Sequence, residues 1–180
     1  MKPLARFAPM RQRGPIRVIP PLPVLEPMRT VDDMREKDDQ RFKYWVSQVG
    51  EDRALIAKAL FDERTGSTTL PELLTENYLR SHGARYVCQL SLGFARPDFT
   101  VFNSPAAPEG ALIIRVAGDH WHGSSDAVAR DSAQKDLLMQ GTAQGSPVLA
   151  VIDVWESAIY QGDGVLDLAY FSGIEQPRAG

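Results

Sequence analysis

The residues best equipped for chemistry gather at positions 111–123, ALIIRVAGDHWHG, where an apolar run ends at Gly118 and gives way to Asp119, His120, Trp121 and His122. Imidazole titrates near neutral pH, so His120 and His122 can move protons or hold ligands there, with a large aromatic ring between them. The run 112–116 is too short for a globular helix and rich in β-branched residues, which predicts a strand. That strand delivers both histidines to its C-terminal mouth, a common place for chemistry in mixed α/β folds. The same residues also admit a plainer reading, in which Trp121 packs and the histidines cap a turn. Carboxylates stand on either side in sequence. Asp98 opens the apolar run 99–102, and Arg130-Asp131 and Lys135-Asp136 lie on a helix that ends near Gly141.

These groups need elements to hold them, and the chain supplies the elements in order. Residues 1–29 carry seven prolines among Leu, Ile and Val, and Lys2, Arg6, Arg11, Arg13 and Arg17 precede the first acidic residue, Glu26. This predicts a basic, proline-rich extended arm laid along a partner protein or along its own domain. Residues 30–66 read as a helical extension. Thr30 and Asp33 open a helix over 31–49 with Phe42, Trp45, Val46 and Val49 on its apolar face, and 52–63 form a second helix burying Leu55, Ile56, Ala59 and Leu60. Thr69 and Glu72 make a T-x-x-E capping box for a third helix that closes at Gly83, with Leu73, Leu74, Tyr78 and Leu79 inward. Strands over 86–92, 99–102 and 112–116 form a β-meander whose second turn spans 105–110. A helix from Ser124 or Ser125 to about Gln140 leads into a strand over 148–154, parallel to a neighbour, and a helical turn over 155–160. Residues 162–180 read as a tail in which 165–171 form a short strand or an ordered stretch.

The chain has 180 residues, 43% of them hydrophobic, enough for one domain with an extension. No apolar run approaches the ~20 residues that span a bilayer, and the N-terminus lacks a secretion signal, so a cytoplasmic or virion-associated product with no membrane partner is expected. One cysteine, Cys88, argues against a cysteine-based zinc site, and a net charge of −3 gives no global attraction to nucleic acid. There is no phosphate-binding loop and no dinucleotide glycine fingerprint.

The order of these pieces resembles the PD-(D/E)XK nuclease superfamily, most closely its very-short-patch mismatch endonucleases and related small phage and bacterial endonuclease-like proteins. The resemblance rests on Glu72, Gln89, Asp98-Phe99, Gly118 with Trp121-His122, Arg130-Asp131, Lys135-Asp136, Val148-Leu149 and Trp155-Glu156, and covers about residues 69–160. It implies an α/β (α+β) fold with a restriction-endonuclease-like core of order αβββαβ, a mixed sheet flanked by helices, over residues 67–161. It also implies a Mg²⁺ ion held by Asp98 and the Val116 carbonyl, with His122 serving the water and the phosphate and Glu72 approaching the metal site; Ala117 stands where the family has its first histidine, and His120 or Asp119, the latter as a further metal ligand, is the candidate to replace it after a small shift. Arg115, Arg130 and Lys135 become the candidate DNA-phosphate contacts.

The chain departs from that pattern where the metal should sit. Arg115 and Ala117 occupy the places of an acid and a second active-site group, and Ala150 replaces an arginine. A guanidinium repels a divalent cation, and alanine neither ligates nor transfers a proton. Two functions follow: a nuclease-fold protein with a compromised metal site that serves as a binding or assembly component of a phage particle or nucleoprotein complex, needing no cofactor, or an active Mg²⁺-dependent endonuclease with a rearranged site. A third reading is an unrelated structural α/β domain.

Overall fold

The β-branched runs assemble into a five-stranded mixed sheet of order β1-β2-β3-β5-β4, with helices on both faces. A computed structural model of the chain describes residues 31–63, 68–118 and 125–176; the N-terminal arm lies outside the described residues. In chain order the elements are α1 (Val31–Val49), α2 (Glu51–Glu63), α3 (Leu70–Ser81), β1 (Arg85–Cys88), β2 (Phe99–Ser104), β3 (Ala107–Ala117), α4 (Ser125–Met139), β4 (Thr142–Ala143), β5 (Ser146–Trp155), α5 (Glu156–Gln161) and α6 (Gly164–Asp167). A π-helical turn, Leu168–Ser172, follows. No helix among the described residues is long and apolar enough to cross a membrane.

The three-strand meander forms as expected: β1 pairs antiparallel with β2, and β2 with β3. Strand β5 then runs parallel to β3, reached through α4. The succession αβββαβ is not matched, because β4, two residues long, intervenes and pairs antiparallel with the start of β5. Alternation along the strands splits the core in two. Phe99, Val101, Leu112, Ile114, Ile152 and Val154 face α1, α2, α3 and α5, whereas Phe102, Ala111, Ile113 and Val151 face Leu138 of α4.

Several local expectations change. Strand β1 stops at Cys88 because Gln89 takes a positive φ of 49° and donates its N–H to the Asp98 carbonyl. Strand β3 starts at Ala107, so the turn is confined to residues 105–106. Gly110 is a strand glycine, since a Cβ there would lie 2.4 Å from the Pro147 carbonyl oxygen of β5. Helix α2 buries Ala54, Ala57 and Leu60 and leaves Leu55, Ile56 and Ala59 exposed: the face turned inward is the one whose Ala54 and Ala57 let α1 and α3 pack closely. The T-x-x-E sequence does not close a capping box; the Thr69 hydroxyl donates to the Glu72 carboxylate at 3.0 Å and makes no bond to the helix backbone. Residues 164–172 are helical rather than a strand, and Val165, Leu166, Ala169 and Tyr170 join the larger core, where the Tyr78 hydroxyl donates to Asp167 at 2.6 Å.

Candidate functional site

Asp98 stands at the entrance to β2, on the α4 side of the sheet, at the end of the molecule where β3 and β5 finish. Its Oδ2 accepts the backbone N–H of Val116 at 2.7 Å, which fixes the carboxylate against the last residues of β3. Burial raises its pKa above the ordinary carboxylate value; the Val116 N–H and the charge of Arg115 pull it back down, and Asp153 pushes it up. Asp98 opens into a cavity of about 200 Å³ that also contains Arg115, Asp131, Gln134 and Asp153.

Arg115 fills the centre of this polar cluster. Parallel pairing of β3 with β5 puts Arg115 and Asp153 in register, so their side chains leave adjacent strands on the same face. Arg115 Nε donates to Asp153 Oδ1 at 2.5 Å and Nη2 to Oδ2 at 2.8 Å, a two-pronged fit of planar guanidinium to carboxylate. Its Nη1 donates to the Gln134 side-chain oxygen at 3.0 Å, tying α4 to the pair. Both charged side chains are largely withdrawn from water, 14% and 16% exposed. Burial works against the charge on Arg115, but the bonds and charge of Asp153 outweigh it and raise the guanidinium pKa.

The other expected site residues fall into three groups. Lys135 of α4 is committed to Glu175 and lies 3.7 Å from Asp153 Oδ2, while Arg130 is on the exposed part of the same helix. Glu72 opens into a different cavity, about 360 Å³, on the opposite face of the sheet among Tyr44, Trp45, Glu156 and Tyr160. The two cavities share Val116 as a wall, so Glu72 and Asp98 flank the end of β3 without meeting. Asp119, His120, Trp121 and His122 lie outside the described residues.

Asp153 and Gln134 were not among the expected residues. A signal for Asp153 existed: a charge inside the otherwise apolar run 148–154 of a buried strand requires a partner. What sequence does not contain is the register that makes the partner Arg115, 38 positions away.

The described donor set does not fit a Mg²⁺ ion. A hard divalent cation asks for converging oxygen ligands. Here the position facing Asp98 from β3 is a cation, and its fork claims both oxygens of Asp153. Among the described residues, no group of three or more His, Cys, Asp or Glu is arranged to hold a metal. Compared with known proteins, the chain matches no family model, no curated sequence and no solved structure.

Proposed function

We propose that this chain is a restriction-endonuclease-like domain whose hydrolytic centre has been replaced by an internal ion pair, and that it works as a non-catalytic binding or assembly component of a phage particle or nucleoprotein complex. Support for the fold comes from the antiparallel meander followed by a helix and a strand parallel to β3, with Asp98 at the start of the second strand. The observation that carries the functional half is the fork of Arg115 on Asp153 in the cavity beside Asp98. A nuclease metal would need that space and those oxygens. Arg130, exposed on α4, and the basic arm are the groups proposed to meet DNA phosphate or an acidic partner.

The competing reading is a Mg²⁺ endonuclease using Asp98, the Val116 carbonyl, Asp119, His120 and His122, with Glu72 across the strand. The position of Val116, between Asp98 and the cavity of Glu72, favours it. Calorimetric titration of the purified protein with Mg²⁺ and Mn²⁺, together with a plasmid-nicking assay and Asp98→Ala as control, separates the two. Silence in both assays from a folded sample is expected. Binding and nicking that disappear together in Asp98→Ala would establish the nuclease.

A further inference from the structure

We infer that residues 173–176 are a strap over the open edge of β5, latched by a partly exposed ion pair between Lys135 and Glu175, and that opening the strap lets β5 pair edge to edge with β5 of a second copy of this chain. Neither Asp98 nor the cavity beside it takes part, so the strap stands or falls apart from the non-catalytic reading.

The two sides of the sheet end differently. On one side β1 spans only Arg85–Cys88, short enough to blunt its own edge. On the other, β5 is ten residues long, yet β4 covers only Ser146 and Pro147, with one more bond from the Val148 N–H to the Gly141 carbonyl. A bulge at Leu149 follows, and beyond it no described strand pairs with the outer side of residues 150–154. Asp153 is the one charge in that stretch, and it is turned to Arg115. Residues 173–176 lie against this edge. Gly173 ends the π-helical turn at a left-handed φ of 64°, with its N–H on the Ala169 carbonyl at 3.1 Å and the Ile174 N–H on the Leu168 carbonyl at 3.2 Å. A Cβ on Gly173 would sit 3.9 Å from Ala150 Cβ, on the face under α3, whereas Glu175, two residues on, binds Lys135 of α4 on the opposite face. With β3 filling the inner side of β5, the short way between the faces is around its outer edge. No backbone bond joins residues 173–176 to β5 among the described residues, so the strap shields the edge without extending the sheet.

The strap is lightly held. Lys135 and Glu175 are 29% and 34% exposed, and Ile174, between the helix cap and the latch, is 54% exposed, so the strap buries little apolar surface. An ion pair this open is screened by salt, and its loss shifts the balance of open and closed straps by a factor of about 1.4–5. The occupant that fits the freed edge is a second copy. Two β5 strands pair antiparallel about a two-fold axis, each offering the row of N–H and C=O groups that the other lacks. The N-terminal arm fits it less well: no proline-free run in residues 1–29 exceeds five residues, and proline has no N–H to give to a ladder.

The test uses the whole chain and two variants that open the latch from either side, Glu175→Lys and Lys135→Gln. Glu175 lies in coil beyond the last helical turn, so its replacement leaves the core intact. Sedimentation over a concentration series gives the association state, and amide hydrogen exchange shows which strand pairs. Both variants are expected to dimerise at lower concentration than wild type. A dimer needs both straps open, so losing the ion pair should lower its dissociation constant by roughly 2–30-fold, and raised salt should move wild type the same way. On dimerisation the amides of residues 150–154 should gain protection while those of β1 stay unchanged. Variants that associate no more readily than wild type overturn the strap, and so does a wild type already paired through β5. Association that leaves the amides of residues 150–154 unprotected overturns it too. In each case the metal titration and nicking assay still decide the non-catalytic reading.

Discussion

Breaking the Arg115–Asp153 pair from one side should cost far more than replacing both partners. The two side chains are 14% and 16% exposed and share two direct bonds, with a third from Arg115 to Gln134. Removing one partner of a buried pair typically costs ~3–5 kcal/mol, because the other charge is left in a poor dielectric. Arg115→Met strands Asp153, but Lys135 Nζ at 3.7 Å supplies part of a counterion, so the expected loss is about 2–4 kcal/mol. The double variant Arg115→Met/Asp153→Leu keeps similar volume and no charge, and should fall within about 1 kcal/mol of wild type. The cycle is completed by Asp153→Leu, which strands Arg115 and should cost about 3–5 kcal/mol, so the two single losses together should exceed that of the double variant by at least about 4 kcal/mol. Urea unfolding is the assay, read as a shift in midpoint at unchanged slope, since a changed slope would mean the unfolded or native ensemble itself had altered. In a thermal melt a 3 kcal/mol loss lowers the midpoint by roughly 6–12 °C. A loss under about 1 kcal/mol in Arg115→Met alone would refute the reasoning: the pair would then behave as a surface ion pair, with water in the cavity rather than a desolvated charge.

Three further outcomes are expected. Burial raises the folded pKa of Asp98 above its ordinary 3.8, so the stability contributed by the protonated form is full below that value and is lost as pH rises through the folded pKa. Asp98→Asn, which cannot ionise, should therefore gain on wild type across that window and keep a constant lead above it; thermal midpoints over a pH series that show the lead shrinking with pH would contradict this. Thr100 in β2 is fully buried and its hydroxyl has no hydrogen-bond partner among the described residues, so Thr100→Val should stabilise by about 1 kcal/mol in urea unfolding. Gly110→Ala would press a Cβ to 2.4 Å from the Pro147 oxygen and 2.7 Å from Leu149 Cγ, and should cost about 1–3 kcal/mol by the same measurement, with a loss under roughly 0.5 kcal/mol meaning that β3 and β5 separate easily.

The elements that sequence disclosed were those with strong local patterns. Helix α1 ends at Val49 as Gly50 dictates, and α3 buries Leu73, Leu74, Tyr78 and Leu79 as its periodicity requires. Local pattern failed where tertiary contact decides. Alanine and leucine rank similarly in a helix, so the inward turn of Ala54 and Ala57 on α2 is set by the close approach of α1 and α3. Gly110, two residues after Pro108, looked like a turn, but the constraint on it comes from Pro147 of a strand 37 residues later. The helical character of 164–172 was missed, although the spacing of Val165, Leu166, Ala169 and Tyr170 fits a period of 3.6 and not of 2. Of the candidate site, Asp98 and Arg115 were legible as an acid and a misplaced base. Their common cavity and the role of Asp153 depend on strand register, which no short window of sequence contains.

The same register explains why a costly charge pair persists where apolar packing of equal volume would serve stability as well. Strands β3 and β5 are joined by a crossover through α4, and parallel pairing has no tight turn to fix its alignment. A slip of β5 by one residue would set Ile152 or Val154 beside Arg115 and turn Asp153 toward the apolar face under α3. Either shift buries an uncompensated charge, so only one alignment satisfies both groups. Gln134 extends the constraint to the crossover helix, because α4 must present that residue to the same guanidinium. Arg115 thus selects the pairing that closes the sheet, and a substitution that removes its charge should loosen the alignment of β5 on β3.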